Sequence, residues 1–370
     1  MTETPIKSIS KENQTRSEYY KHIGFEEGFC SDFTIVEQRQ VQIRVPNFQN
    51  RKIEKIISLK DYVRRVKALD LDEWQENFCD RLEKAFFERN IAAMKACIAV
   101  MPQAGKSVLI SQAFPAWILG HDPYHRIILA CYNLTRSKKH SNVVIRLLRS
   151  PEHATIFPDV NCRVPVSVGS QSWSTLGRLN NNFDGQDSFT AASLQTGLTG
   201  VGFDTLIVDD PYPGAKEANS EVIRESVWTF YEETAQMRGS GEGNIFMMFH
   251  RYHQDDIGGR LLATKEFQYW FYAAEYYGDF IDDETGLSYP DALPREIGEY
   301  LSKRRSHAFY VAQKSKPKLW ASQFQQKPTG DFGNMFSTGK IAKIPFDKIP
   351  RDDEFVLIRR SWDHAVSKTE

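Results

Sequence analysis

Apolar residues recur at helical spacing from Leu59 to about residue 90 (Leu69, Leu71, Trp74, Phe78, Leu82, Phe86), with Asp70 and Asp72 available as caps. One or two helices are therefore predicted there. Beyond them the pattern changes to short β-rich runs alternating with helical segments. Strands are predicted at Ala96 to Met101, Arg126 to Tyr132, Ser188 to Ser193, Thr205 to Val208, Asn244 to Phe249 and Tyr269 to Ala274. Helices are predicted at Lys106 to Leu119, Thr135 to Arg149, Ser220 to Met237 and Asp255 to Ala263. This alternation is expected of an α/β fold with a mostly parallel central sheet covered by helices on both faces. Ligands in such sheets bind beyond the carboxyl ends of the strands. Residues 1–58 are polar and mixed in charge, with short apolar stretches such as Phe33 to Val36, and read as an extended or partly ordered arm.

Composition narrows the class. At 370 residues with 41% apolar content, the chain can bury a large core and has the length of about two domains. No run of about 18 apolar residues exists to span a bilayer, and the polar N-terminus lacks a signal-peptide core, so an intracellular protein without a membrane partner is expected. The five cysteines (Cys30, Cys79, Cys97, Cys131, Cys162) are dispersed without a Cys-x-x-Cys pair, which argues for buried free thiols. The net charge of −1 supplies no global cationic field, so any nucleic-acid contact must be local. One candidate patch is Lys303, Arg304 and Arg305 followed by Lys314, Lys316 and Lys318, interleaved with Phe309, Tyr310 and Trp320. The alternative is an ordinary solvated helix face.

The first candidate chemistry lies at Ile98 to Ser107, where an apolar strand, a turn and a helix start follow one another. Backbone N–H groups around Gln103, Ala104 and Gly105 can cradle phosphates, Lys106 can reach the β- and γ-phosphates, and the Ser107 hydroxyl can ligate Mg²⁺. The phosphate-loop pattern G-x-x-x-x-G-K-[ST] fails at its first glycine, where Val100 stands. A bare Gly-Lys-Ser is weak on its own. The stronger feature is Leu206-Ile207-Val208 running into Asp209-Asp210-Pro211. Two carboxylates at the tip of a buried strand repel and lose hydration unless they bind something. A Mg²⁺–nucleotide complex would relieve that, Asp209 holding the metal and Asp210 orienting or deprotonating the attacking water. An Asp-Asp-Pro turn in solvent is the alternative. Third, the strand ending at Phe249 delivers His250 and Arg251 to the same edge before a helix capped by Asp255 or Asp256, where they could sense the γ-phosphate. His250 and His253 lack i, i+4 spacing and a third ligand, so a metal site is a poor reading.

With these elements in order, the chain resembles the large subunit of tailed-bacteriophage terminases. The likeness is carried by Met101 to Ser107, Leu198 to Pro211, His250 to Asp256, Phe324-Gln325-Gln326-Lys327-Pro328 and Ser361-Trp362-Asp363. The resemblance implies an additional-strand P-loop ATPase domain over residues 59–330, with its helical lead-in at 59–90. Residues 331–370 would be a linker and the first strand of an RNase H-like nuclease. It implies that Gly105, Lys106 and Ser107 are the Walker A residues, Asp209 the Walker B magnesium ligand, Asp210 the catalytic carboxylate and His250 with Arg251 the coupling motif. Asp363 would be the first metal-binding aspartate of the nuclease, whose divalent metals need several carboxylates. The chain stops at Glu370, where a strand over residues 355–360 has just begun, so DNA cleavage is expected only of a longer protein. The implied cofactors are ATP and Mg²⁺. The implied partners are double-stranded DNA, the portal protein of a procapsid, the small terminase subunit and further copies in a ring, with a monomer in isolation. The implied location is the host cytoplasm.

Three departures bear on rate. Many relatives carry an arginine where Gln103 stands and another where Val201 stands, the latter a candidate trans-acting finger, and here Asp210 replaces a glutamate. An arginine that stabilises transition-state charge is worth orders of magnitude, so a substitute is expected, with Arg178, Arg136 and Arg251 ranked in that order. Upstream, Gln75 beside Trp74 could read adenine, since an amide matches its N6 donor and N7 acceptor; otherwise Trp74 is a core residue beside an exposed Gln75. Other P-loop translocases or helicases, and a nucleotide-gated assembly subunit with little hydrolysis, are the alternatives.

Overall fold

A computed structural model describes residues 33–38, 41–46, 55–88, 93–181, 185–195, 201–236, 239–278, 280–281 and 288–328. The chain divides into a unit of residues 1–328 and one of 329–370, and the second lies outside the described residues, Asp363 with it. Within the N-terminal segment, β1 (Phe33–Gln38) and β2 (Val41–Pro46) pair antiparallel.

Two helices lead into the sheet. The first, α1 (Leu59–Lys67), is capped by Ser58, whose hydroxyl accepts from the Asp61 N–H, and it stops at Ala68 in the left-handed region. The second, α2 (Glu73–Glu88), begins with Gln75 reaching back to the Asp72 N–H, one half of a capping box.

The central sheet has seven strands in the order β5 (Ser172–Trp173), β6 (Phe189–Ser193), β4 (Ile127–Cys131), β7 (Phe203–Asp209), β8 (Gly239–Phe249), β3 (Lys95–Val100), β9 (Gln268–Tyr272). All neighbours run parallel except the β5–β6 pair. The six predicted strands are therefore all present. The two-residue β5 is too short to show a period in sequence; it is held by Trp173, which stacks on Phe189 at 5.0 Å and donates its indole N–H to Ser141.

Alternate strand residues enter two separate cores, as a sheet covered on both faces requires. Ile98, Ile207, Phe246 and Met248 pack with α2, α3 (Phe114–His121) and α4 (Leu134–Leu148). Cys97, Ala99, Leu206, Val208 and Met247 pack on the other face with α6 (Glu221–Phe230) and α7 (Ile257–Thr264). In chain order α5 (Leu176–Asn180) falls between α4 and α6. The helix predicted over Lys106 to Leu119 is interrupted by a π-helical stretch, Val108–Ala113, ahead of α3. Pro115 has no N–H to return to Ser111, and the Phe114 N–H bonds to the Leu109 carbonyl instead, one residue further back than in an α-helix. The cysteines among the described residues, Cys79, Cys97, Cys131 and Cys162, are free and buried. No helix among the described residues is long and apolar enough to cross a membrane.

Asn244 ties the sheet to α2: its side-chain oxygen accepts from the Met94 N–H at 2.8 Å and its amide donates to the Ala85 carbonyl at 3.0 Å, with the residue fully buried. Replacing it (Asn244→Ala) strands one buried and one partly buried backbone group and is expected to cost about 2–4 kcal/mol in urea denaturation. A loss below about 0.5 kcal/mol would remove Asn244 from the framework.

Candidate active site

The loop after β3 owes its shape to two residues in the left-handed region, Gln103 at φ 57° and Gly105 at φ 89°. A side chain at Gly105 would be strained, and its Cβ would lie 3.1 Å from Gln75 Nε2. That same Nε2 donates to the Ala104 carbonyl at 3.0 Å, and Arg305 donates to the Gln103 carbonyl at 3.0 Å. The loop is thus braced from α2 on one side and from the segment before α8 (His307–Lys314) on the other.

Asp209 ends β7 and Asp210 follows it, two strands from β3, and β8 runs between β7 and β3 parallel to both. This interposed strand is what separates the additional-strand arrangement from one in which the two strands adjoin. Asp209 is fully buried; one oxygen accepts from Ser107 Oγ at 3.2 Å and the other from Ser111 Oγ at 2.6 Å. Burial, reinforced by the adjacent Asp210, pushes its carboxyl up to about 6. His140 stands 3.6 Å away, but burial and Arg136 push its imidazole down to about 4, so the contact is neutral on the histidine side at pH 7.

Asp210 turns its backbone to φ 48° and points its carboxylate between two cations, Lys106 Nζ at 2.7 Å and Arg136 Nη2 at 2.8 Å. Burial alone would raise this carboxyl; Lys106, followed by His250, instead holds it far below the usual carboxylate range. His250 Nδ1 accepts from Lys106 at 3.0 Å, and its other nitrogen meets the Tyr252 hydroxyl at 2.5 Å. Burial and the neighbouring Lys106 lower the His250 pKa, in keeping with a neutral ring that accepts from the ammonium. The sequence-derived loop, both carboxylates and His250 are thus gathered at one sheet edge.

No family model matches the chain, and no curated protein sequence matches it. Solved structures do. The HK97 bacteriophage large terminase is similar at TM-score 0.43 and 14% identity, over 72% of this chain and 54% of that one. The ATPase domain of the Thermus phage P74-26 large terminase is similar at 0.40 and 11%, over 74% of this chain and 100% of that one. Dbp5 of S. cerevisiae is similar at 0.32 and 10%, over 57% and 49%. The chain spans about half the length of the HK97 terminase. At such identities and scores, residue roles rest on the geometry of the site itself.

That geometry corrects several sequence readings. Arg178, ranked first as a replacement arginine, is buried within α5 and donates to the carbonyls of Gln186 and Tyr124 at 2.7 and 2.6 Å. It pins a loop. Arg251 is likewise interior: its Nε sits on Asp256 at 2.7 Å, and Asp256 in turn caps α7 through the Gly259 N–H. Arg251 therefore joins the end of β8 to the start of α7, and its backbone N–H is held by Gln326 from the Phe324–Pro328 motif. Arg136, ranked second, is the one of the three that reaches a site carboxylate. Gln75 braces the loop with its amide rather than presenting it to a base, and Trp74 is core, against Phe78 and Tyr272. In the basic patch, Lys303 pairs with Glu73 and Glu299, Lys314 with Glu275, and Tyr310 is buried against Tyr300. The site residue that the sequence reading missed, Ser111, stands one helical turn after Ser107, a spacing that puts both on one face.

Because the native Asp209 carboxyl binds its proton more tightly than in an unfolded chain, its contribution to stability is present at acid pH and lost as pH rises through about 6. Asp209→Asn, melted in chelator, is expected to raise stability at about pH 7.5 by no more than about 3 kcal/mol, the gain shrinking toward pH 4. A Tm difference independent of pH would show that Asp209 is ionised at no cost.

Proposed function

We propose that residues 55–328 are the ATP-hydrolysing motor domain of a phage DNA-packaging terminase. The observation that carries the reading is the meeting of loop and carboxylates across the interposed strand, with Ser107 on Asp209 and Lys106 on Asp210. The residues fit a Mg²⁺-nucleotide: a glycine with positive φ opens the loop, an ammonium stands beside it, and a hydroxyl and a buried carboxylate lie together. Ser107 and Asp209 would hold the Mg²⁺, which when bound neutralises charge on the β- and γ-phosphates. Lys106 would bind those phosphates, and doing so takes it from Asp210. Relieved of that ammonium, Asp210 becomes a stronger proton acceptor for the attacking water. Arg136, already on Asp210, is the cation available to answer charge that develops on the transferred phosphoryl group. His250, in contact with Lys106, would register which partner the lysine holds, and the adjoining Arg251–Asp256 link leads from there to α7.

DNA packaging, with portal, small subunit and ring assembly, is proposed on the order of the motifs from Met101 to Pro328. DNA cleavage is proposed only of a longer protein, with Asp363, which lies outside the described residues, as its first metal ligand.

Lys106→Ala is expected to abolish nucleotide binding and turnover while the circular dichroism spectrum stays native; unchanged turnover would sink the loop assignment. Arg136→Ala should lower kcat by about 10²–10³-fold with nucleotide affinity largely retained, as removal of a transition-state cation does. Arg178→Ala should instead lower Tm. If Arg178→Ala were the variant that lost turnover with an unchanged Tm, the two roles would have to be exchanged.

A further inference from the structure

Helix α4 and its C-cap Arg149 together carry five Lys and Arg residues, and the stretch from Asn133 to Pro151 contains no Asp or Glu. Its inner face is set by Ser137, Ser141, Val144, Ile145, Leu147 and Leu148, which are buried. Lys139, Asn142, Arg146 and Arg149 are exposed at spacings of three and four, so they form one outward stripe. Lys139 and Arg146 stand about 10 Å apart along the axis at 1.5 Å per residue. A further cation stands beside the stripe from another element: Lys67, in the last turn of α1, is linked through Gln112 to His140, at 3.0 and 3.2 Å. Arg146 is close enough to add to burial in lowering the Lys67 pKa. Among the described residues, no carboxylate pairs with Lys67, Lys138, Lys139 or Arg146. Like charges crowded in this way are unfavourable in the isolated protein and favourable against a polyanion.

We infer that the outward face of α4, with Lys139 and Arg146 at its centre and Lys67 beside it, binds the phosphate backbone of duplex DNA. The choice of DNA as the polyanion rests on the proposed packaging function. The same helix begins with Arg136 on Asp210 and carries His140 beside Asp209. Phosphates drawn to the stripe would therefore sit on the helix that also touches both carboxylates. The patch at residues 303–318 is the weaker surface, because Lys303 and Lys314 already face carboxylates.

The test is fluorescence anisotropy of a labelled duplex of about 30 base pairs, titrated with the whole chain without nucleotide from about 50 to 200 mM salt. Each phosphate contact contributes about 0.9 to the slope of log K against log salt, so Lys139→Gln with Arg146→Gln should flatten it by about 1.8. Affinity at low salt should fall at least about tenfold. A charge-matched control, Lys303→Gln with Lys316→Gln, should bind like the wild type. The inference is overturned if the α4 variant keeps the wild-type slope and affinity, if the control loses more, or if the wild type does not bind duplex at low salt. Binding of a fluorescent ATP analogue is measured separately on the same proteins: it should be equal in all three, and its loss from the wild type would remove the nucleotide reading without touching the DNA result.

Discussion

Two adjacent carboxylates at the end of an apolar strand set the terms for everything around them. Left alone they would repel each other in a region with little water, and the fold answers them differently. Asp209 receives only neutral hydroxyls, from Ser107 and Ser111, whereas Asp210 receives the charges, from Lys106 and Arg136. The pair is thereby split into one group inclined to keep a proton and one that cannot. Such a division suits a site with two tasks, holding a cation and orienting a nucleophile.

The sheet order makes the division possible. The groups that answer the pair come from three strand ends: Lys106 and Ser107 after β3, Arg136 after β4, His250 after β8. Parallel strands put all of these ends on one edge, and the interposed β8 sets the spacing at which a lysine on one loop reaches a carboxylate two strands away. A core on each side of the sheet keeps that edge in place.

Much of this was legible in the sequence because it is periodic or adjacent. The six long strands declared themselves as apolar runs, and Asp209-Asp210 stood out because charge at the end of such a run is costly. What escaped were relations between distant residues. Nothing in the vicinity of Arg178 says that two carbonyls, of Tyr124 and Gln186, will claim its guanidinium, and nothing near Arg136 says that Asp210 will lie 2.8 Å away. The π-helical stretch escaped for a local reason: periodicity does not distinguish a wide turn from a normal one, although Pro115 marks where an α-helical bond must fail. Gln75 was weighed as a base reader because it was considered with its neighbours in sequence, and its partner is 29 residues away.

That partnership has a practical side. The amide of Gln75 stands where a side chain at Gly105 would have to go, so the curvature of the loop is dictated in part by a helix that precedes the first strand of the sheet. Any shortened version of this protein that starts at β3 would retain every residue of the loop and lose the mould in which it is cast. The smallest unit that keeps the shape of this loop should therefore include α2, and searches for the same arrangement in other chains should include the helix ahead of the loop along with the loop.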